Sequence, residues 1–410
     1  MFAFHASTRD PIHGKSLSAI HRPKPTLTPF SKLNEIRCHP TVKILQLMHE
    51  TRRKSQVNDT DAHIPPEIEP TPRLSVLIPS YNQPILLRAC LRSIIPQLRA
   101  NDEIVVSDDA SSADMSEMQT HITDPRVKWY FHSTNVGYGG NLNRAFAAAT
   151  GDLIMLMGHD DLLLPGAIQQ SIRPFTDPNT GVVTRPYYWF FETPNRPNRA
   201  VYPLIPGQNR TLTTSSDPNE LISMYWSIAQ LSGLVFRRSL MQEAFHTEIF
   251  TSHVWPFLQV FKASQCVSLG RYTVAVRTES SMTRHSRHVY ARSPTQAWID
   301  CFDTTFSCAS LASCRNAGLD FLASVGPLGL VQLRTYGGLA YVLKELLVFK
   351  RLGWRRLLRP PFIGLTALSI LLPGSLLRPL ADTIRRHILG PRALRRGGIP
   401  DVTSLNMGAS

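Results

Sequence analysis

The sequence predicts an α/β fold, with a mixed, mainly parallel sheet flanked by helices and a helical region at the C-terminal end. Three observations support this class. Short apolar stretches alternate with stretches of helical spacing from about residue 73 to residue 157. A polar cluster follows each of four successive apolar stretches. Helical spacing then returns over about 293–317 and 325–350.

The alternation gives the elements in order. The predicted strands are "RLSVLIP", "DEIVVSDD", "RVKWYFH" and "DLIMLM". The helices between them are "PILLRACLRSIIPQL", residues 113–122 and "NLNRAFAAAT". Strands that are joined through helices need crossover connections, and these predict parallel pairing.

The pattern is looser beyond Pro165. We expect strands at "GVVTRPYYWFF", "CVSLG" and "YTVAVR". Helices are predicted at 217–226 and 238–245, and in "HVWPFLQVFKA", where Pro256 suits a first helical turn. The sequence contains no internal repeat.

Polar residues at the carboxyl ends of the four strands form the predicted site. Ligands bind at this edge in open parallel sheets, and the four clusters should therefore lie together. Each cluster alone is also typical of an ordinary turn. The candidate residues are Pro79, Ser80, Tyr81, Asn82, Asp108, Asp109, Asn135, Gly139, Asn141, His159, Asp160 and Asp161.

Composition excludes several classes of protein. The six cysteines include no CxxC pair, which argues against a zinc site and a dense disulfide framework and favours reduced thiols in a cytosolic compartment. The N-terminus lacks the apolar segment of a signal peptide, and no stretch has about 18 clean apolar residues. No GxGxxG follows the first strand, which argues against an NAD enzyme.

The net charge of +14 is concentrated in a short tail. The segment from Lys344 to Arg396 contains twelve Lys and Arg residues and only two acidic residues. Basic amphipathic segments lie on anionic membrane surfaces. The alternatives are a solvated or packed helical tail, and nucleic-acid binding, which we do not expect because no nucleic-acid module is present.

Four regions follow from these patterns. Residues 1–72 form a flexible N-terminal extension rich in proline, and 73–290 form the α/β domain. Residues 291–345 are a helical region, and 346–410 are a basic amphipathic, membrane-associated tail.

Four stretches resemble glycosyltransferase family 2, and the Gly-x-Asp-Asp form is similar to abequosyltransferase-like bacterial enzymes. They are "SVLIPSYNQPILLRACLRSI", "DEIVVSDDASS", "NVGYGGNLNRAF" and "GDLIMLMGHDDLLLPGAI". The resemblance is strong over about 73–168 and weaker to about 284. It implies a GT-A, Rossmann-like fold. It also implies transfer of a sugar from a nucleotide-diphosphate sugar to a hydroxyl of a glycan or lipid-linked acceptor.

The resemblance also implies roles for the acids after the fourth strand. Asp160 would bind the donor and a Mg²⁺ or Mn²⁺ ion, and we assign Asp161 to catalysis. Related enzymes usually have acids where this chain has Gly158 and His159. Imidazole tolerates Mn²⁺, so His159 is a candidate ligand, or it faces the donor sugar. The alternative for the aspartates is a helix N-cap.

The nucleotide contacts are implied in the same way. Asp108 and Asp109 resemble the acidic pair that contacts base and ribose, and residues 79–82 resemble the loop under the nucleotide. Asn135 and the glycines near Gly139 and Asn141 would allow backbone to approach the ligand. A turn or a mobile glycine loop is the alternative.

His253 is the candidate catalytic base. It occupies the position that related enzymes fill with the Asp of a Glu-Asp pair, and an imidazole suits proton abstraction near neutrality. A structural histidine is the alternative, with Glu248 a nearby substitute.

Three aromatic residues are either an acceptor wall or core: Tyr225, Trp226 and Trp255. Arg284, His285 and Arg287 either contact diphosphate or form a solvated loop.

The sequence therefore predicts a metal-dependent, inverting glycosyltransferase of surface polysaccharide biosynthesis. We expect it in the cytoplasm, peripherally associated with the inner face of the cell membrane. The alternatives are a non-catalytic nucleotide-sugar-binding protein and a membrane-associated assembly protein.

Overall fold

A computed structural model describes residues 71–242, 245–280, 287–400 and 402. Residues 1–70 of the predicted N-terminal extension lie outside this range, as do Arg284, His285 and the side chain of Arg287. The described residues from Pro72 onward belong to one compact unit.

The described part of the chain alternates strands and helices up to residue 277 and is helical beyond it. The strands are β1 (Leu74–Ser80), β2 (Glu103–Asp108), β3 (Val127–Phe131), β4 (Leu153–Leu156), β5 (Leu162–Leu163), β6 (Thr180–Thr184), β7 (Tyr187–Phe190), β8 (Pro197–Val201), β9 (Arg210–Leu212), β10 (Val235–Arg237), β11 (Gln265–Ser268) and β12 (Val274–Arg277). The helices are α1 (Pro84–Ile94), α2 (Ser116–His121), α3 (Gly137–Ala148), α4 (Ala167–Ile172), α5 (Pro218–Ile228), α6 (Val254–Ala263), α7 (Pro294–Thr305), α8 (Ala312–Gln332), α9 (Leu339–Phe349), α10 (Trp354–Leu357), α11 (Pro360–Leu371), α12 (Gly374–Ile384) and α13 (Gly390–Arg395).

Two sheets organise these strands. The larger sheet has eight strands in the order β3-β2-β1-β4-β10-β6-β11-β9. Its first four strands are parallel, while β10 runs antiparallel to both neighbours. The smaller sheet has the order β5-β12-β7-β8, with β12 parallel to β7. The predicted mixed, mainly parallel sheet is confirmed.

Strand β1 explains why the predicted strands had continuous apolar runs. All seven of its residues are buried. Leu77 belongs to a core on one face, with Leu142 of α3. Val76 and Ile78 belong to a core on the other face, with Leu87 of α1. A strand covered on both faces has no solvent side, so it needs no polar alternation.

Two local predictions were wrong. The stretch "GVVTRPYYWFF" forms two strands in different sheets, β6 and β7, because the chain breaks at Arg185–Pro186. Proline has no N–H to donate to a ladder, and its ring restricts the preceding residue. The helix predicted at 238–245 is a single 3₁₀ turn, Arg238–Leu240.

Helices from Pro294 to Arg395 confirm the predicted helical C-terminal region. The break between α7 and α8 falls at residues 306–311 rather than at 318–324. Helix α8 packs on α5, where Phe321 contacts the rings of Tyr225 and Trp226. Within the described residues, no helix is both long and apolar enough to cross a membrane. The boundaries at 290 and 345 stay a prediction.

Candidate functional site

Four adjacent strands bring their carboxyl ends to one edge of the large sheet. In the register, Ser80 of β1 lies beside Asp108 of β2, and Asp108 lies beside Phe131 of β3. Strand β4 pairs with the other side of β1. The loops that follow these strands therefore share this edge, where the sequence predicted a site.

The loops after β1 and β2 are joined by hydrogen bonds. Asn82 has a left-handed backbone (φ 54°), and its Oδ1 accepts from Ser112 N at 2.7 Å and Ala113 N at 3.1 Å. Asp108 accepts from Ser111 N at 2.9 Å and from Ser111 Oγ at 2.6 Å. Neighbouring Pro79 and Ser80 are buried, and Tyr81 is partly exposed. These bonds fasten the two loops to each other.

Asp109 organises the start of α3. It is fully buried, and its two oxygens accept from Val136 N at 2.8 Å and Gly137 N at 2.9 Å. Negative charge is stabilising at a helix N-terminus. Asn135 Nδ2 donates to Asp109 O at 3.1 Å. Both residues position the loop after β3, and their direct contact with a nucleotide stays a prediction.

Asn141 and Gly139 also have local roles in the fold. Asn141 Oδ1 accepts from Ser107 Oγ at 2.6 Å, and its Nδ2 donates to Ser107 O at 2.9 Å. These bonds fasten α3 to the end of β2. A Cβ added to Gly139 would lie 2.5 Å from His246 O. The glycine is therefore required by the chain segment around His246.

His159 and Asp160 follow β4 and are nearly buried, with 6% and 1% exposure. His159 Nδ1 lies 3.1 Å from Pro79 O. An N–H on Nδ1 makes this a hydrogen bond and leaves the lone pair of a neutral ring on Nε2. Asp160 Oδ2 accepts from Ser280 Oγ, and Arg277 Nε lies 3.4 Å from Asp160 O. The pair lies beside the end of β1.

Asp161 is placed differently from Asp160. Its side chain is fully buried. Oδ2 accepts from Gln230 Nε2 and Ser232 Oγ, both at 2.6 Å, and Oδ1 accepts from Arg277 N at 2.9 Å. The carboxylate thus fastens the end of β4 to β12 and to residues 229–233. The predicted catalytic role of Asp161 conflicts with this burial, which favours a positioning role.

Arg185 completes this arrangement and was not predicted from the sequence. It is fully buried between β6 and β7. The guanidinium donates to Ser227 O at 2.7 Å, Gln230 O at 2.9 Å and Ser232 O at 2.5 Å. Burial lowers the pKa of Arg185 to about 10, so it stays charged at neutrality. The Arg-Pro step at the end of an apolar strand was its only signal in the sequence.

His253 lies inside the core, and this position conflicts with its predicted role as the catalytic base. It is fully buried, with Nε2 3.0 Å from Ile228 O and Nδ1 3.4 Å from the Tyr138 hydroxyl. Burial lowers the pKa of His253 to about 3. A ring with this pKa and no exposure is a weak and inaccessible proton acceptor. The geometry therefore favours the structural alternative.

The three aromatic candidates lie in different surroundings. Tyr225 is core, with its hydroxyl donating to Cys314 O at 3.1 Å. Trp255 stacks on His246. Trp226 is partly buried and lines a large apolar cavity. Trp226 and Trp255 are both partly exposed, and Trp226 is the one of the three that lines this cavity.

The side chains near the end of β4 offer few donor atoms for the predicted metal ion. Among the described residues, no group of three or more His, Cys, Asp or Glu side chains could hold a metal ion. His159 and Asp160 supply two donors of suitable chemistry, an imidazole nitrogen and a carboxylate. Mg²⁺ commonly takes one or two carboxylates and completes its shell with substrate phosphates and water. The residues fit an ion that is shared with a phosphorylated ligand.

The fold defines an α/β protein in which the loops after β1, β2, β3 and β4 meet at one edge of the large sheet. Residues 75–234 match the family model of glycosyl transferase family 2. An uncharacterized protein of Mycobacterium tuberculosis (strain CDC 1551 / Oshkosh) is 30% identical over 246 residues, which are 56% of this chain and 76% of that protein. The chain therefore belongs to glycosyltransferase family 2, and it is a glycosyltransferase.

Two further similarities are more distant or shorter. The GalNAc(5)-diNAcBac-PP-undecaprenol beta-1,3-glucosyltransferase of Campylobacter jejuni is 35% identical over 100 residues. The match covers 24% of this chain and about a third (32%) of that enzyme. The crystal structure of S. aureus TarS 1-349 with UDP-GlcNAc has 15% identity and a TM-score of 0.48. That alignment covers 73% of this chain and 90% of the TarS chain.

We expect Asp161→Asn to lower the free energy of unfolding by about 2–4 kcal/mol, since an amide donor would face groups that already donate. Asp160→Asn is the matched control and should cost less, because Asp160 is not fastened to residues 229–233. Urea denaturation of the full chain measures both. Equal losses would contradict the positioning role of Asp161.

His253 should make stability depend on pH. Its pKa is about 3 in the folded chain and about 6.5 in an unfolded one. Between these values the unfolded chain binds the extra proton. Folding stability should therefore fall as pH drops below about 6.5, by up to about 1.4 kcal/mol per pH unit.

His253→Gln removes this titration and should flatten that part of the profile. Exposed His121 of α2 provides the control variant His121→Gln. Urea denaturation at several pH values compares the three proteins. A profile unchanged by His253→Gln would show that this imidazole titrates normally.

Proposed function

We propose that this chain transfers a sugar from a nucleotide-diphosphate sugar to a hydroxyl of a glycan or lipid-linked acceptor, with inversion, in surface polysaccharide biosynthesis. Membership of glycosyltransferase family 2 supports the reaction class. The observation that carries the proposal for the donor site is the His159–Asp160 pair, buried beside the end of β1.

The donor nucleotide would lie over the loops after β1 and β2. Asn82 and Asp108 hold these loops in place, which lowers the ordering cost of binding. Ser80 Oγ is buried and has no hydrogen-bond partner within the described part of the chain. A ligand hydroxyl or phosphate there would satisfy it, since buried polar atoms are usually hydrogen-bonded.

Asp160 and His159 would hold a Mg²⁺ or Mn²⁺ ion together with the donor phosphates. Such an ion supplies neutralisation of the charge that develops on the leaving diphosphate. The contact of His159 Nδ1 with Pro79 O supports this role. A ligating histidine commonly donates its other ring N–H to a carbonyl, which fixes the tautomer and the orientation of the ring.

In the proposed reaction the acceptor oxygen attacks the anomeric carbon as the bond to the diphosphate breaks, and the acceptor proton passes to a base. Glu248 replaces His253 as our candidate for this base. Its Oε2 contacts Arg292 Nη1, and its Oε1 is buried without a hydrogen-bond partner in the described part of the chain. Its segment packs against the start of α3, where His246 O approaches Gly139.

We further propose that the C-terminal helices lie on the inner face of the cell membrane, where a lipid-linked acceptor would be located. Exposed apolar side chains support this, including Leu347 (64%), Trp354 (67%) and Leu371 (77%). Arg355 and Arg359 stand among them. Each basic residue near an anionic surface contributes about 1 kcal/mol to binding. The Campylobacter relative is named as a glucosyltransferase for a glycan that is linked to PP-undecaprenol.

Calorimetric titration of UDP, GDP and dTDP, with and without Mn²⁺, tests the donor site. We expect one nucleotide to bind in a metal-dependent manner and Asp160→Asn to raise its Kd about tenfold or more, because a carboxylate charge is lost from the metal site. Asp300→Asn on α7 is the surface control. Binding that Asp160→Asn leaves intact, or no binding by folded protein, would contradict the donor site.

The same preparation separates the rival functions. A non-catalytic binding protein would bind the nucleotide without hydrolysing or transferring any donor sugar. An assembly protein would tolerate Asp160→Asn in cells and fail when the C-terminal helices are disrupted. Turnover of one donor sugar by the wild type supports the enzyme.

Co-sedimentation with vesicles tests the membrane surface. We expect full-length protein to bind vesicles that contain anionic lipid, and Leu371→Glu to weaken binding several-fold because a charge replaces exposed apolar surface. Ile85→Glu is the matched control, since Ile85 is 72% exposed but lies on α1. Equal effects of the two substitutions, or no binding at low salt, would contradict the membrane role.

A further inference from the structure

A cavity of about 630 Å³ lies between β7, β8 and α5 on one side and the C-terminal helices on the other. Its size is within the usual range of sites that enclose a small organic ligand, about 300–1,000 Å³. Aliphatic and aromatic side chains dominate its walls. Among them are Trp189, Trp226, Val331, Leu365, Leu368 and Leu377.

The mouth of the cavity is continuous with exposed apolar surface. Leu328, Leu380 and Ile384 line the cavity and are also 47%, 44% and 37% exposed. These residues belong to α8 and α12, which adjoin the helices proposed to contact the membrane. Apolar side chains therefore continue from the cavity lining to the exposed surface of these two helices.

The cavity also carries positive charge. Arg199, Arg385, Arg392 and Arg396 are among its lining residues, and those residues include no Asp or Glu. Arg385 is partly neutralised by Asp382, with an Nη1 to Oδ1 distance of 2.8 Å. Arginine binds phosphate oxygens through paired N–H donors. Apolar walls combined with an arginine-rich lining complement an anionic amphiphile.

One wall of the cavity belongs to the segment that holds the site. Trp226 and Ala229 line the cavity. The next residue, Gln230, donates to Asp161 at 2.6 Å. Tyr187 also lines the cavity and follows Arg185 by two residues, with its hydroxyl donating to Trp226 O at 3.3 Å. The cavity and the edge of the sheet are therefore joined through residues 226–232.

We propose that this cavity binds the hydrocarbon chain of the lipid-linked acceptor, with its phosphate or diphosphate held by Arg392 and Arg396. This inference rests on the proposed function and names the place of its acceptor lipid. The competing occupant is a segment of this chain outside the described residues, such as part of 1–70 or 403–410.

Isothermal titration of the full-length protein with geranylgeranyl diphosphate, below its aggregation concentration, tests the inference. Geranylgeraniol and inorganic pyrophosphate are the comparison ligands, each lacking one half of the amphiphile. We expect the diphosphate lipid to bind at least about tenfold more tightly than either comparison ligand. Its affinity should fall as salt concentration rises, because the arginines contribute by charge.

Two matched pairs of variants locate the binding. Leu368→Trp fills the cavity and should weaken lipid binding about tenfold or more, whereas Ile363→Trp adds the same bulk to an exposed position of the same helix, α11, and should have no effect. Arg392→Gln should weaken binding of the diphosphate lipid but not of geranylgeraniol. Arg395→Gln, on the same helix, α13, but outside the cavity lining, should change neither.

The outcomes distinguish this inference from the proposed function. Equal affinity in wild type, Leu368→Trp and Ile363→Trp would overturn the cavity as the lipid site. So would absence of lipid binding in protein that still binds nucleotide with Mn²⁺, the result expected if a segment of the chain fills the cavity. Lipid binding with the predicted variant pattern, in protein that binds no nucleotide, would overturn the proposed function and leave a lipid site.

Discussion

The site depends on how two buried charges, Asp161 and Arg185, are accommodated around residues 227–232. The carboxylate is held by neutral donors of Gln230 and Ser232, and the guanidinium by carbonyls of Ser227, Gln230 and Ser232. Charges out of water are tolerated when they are hydrogen-bonded, and removal of one member of such a set costs about 3–5 kcal/mol. These bonds tie the segments that follow β4 and β6 to residues 227–232, and Asp161 Oδ1 also accepts from Arg277 N of β12.

The α/β part of the fold was predictable because its central strands are buried on both faces. Such strands leave apolar runs that are bounded by turn residues, as β1 and β4 do. The split of "GVVTRPYYWFF" was not predictable from periodicity, since both halves are apolar and buried. Tertiary pairing separates them into two sheets at Arg185. The helix expected at 238–245 failed for a similar reason, because the chain leaves β10 at Arg237 through a 3₁₀ turn, Arg238–Leu240, that occupies the start of that segment.

The meeting of the strand-end loops at one edge of the sheet followed from strand order, whereas the contacts of their side chains did not. Asp108, Asp109 and Asn141 were recognisable as strand-end polar residues, yet each is engaged with backbone or side-chain groups of neighbouring loops. A sequence gives residue type and spacing but not which atoms a carboxylate already accepts from. The burial of His253 is of the same kind, since it depends on Ile228 and Tyr138, which are distant in sequence.

Residues 226–232 contact the cavity through Trp226 and Ala229 and contact Asp161 through Gln230 and Ser232. The two walls of the cavity therefore differ in how far their backbone can move. The wall that Trp226 and Ala229 form cannot shift without moving Gln230 and the buried carboxylate. The opposite wall belongs to α8, α11 and α12, which are elements of the helical C-terminal region. A change in the width of the cavity is therefore expected to come from the C-terminal helices rather than from residues 226–232.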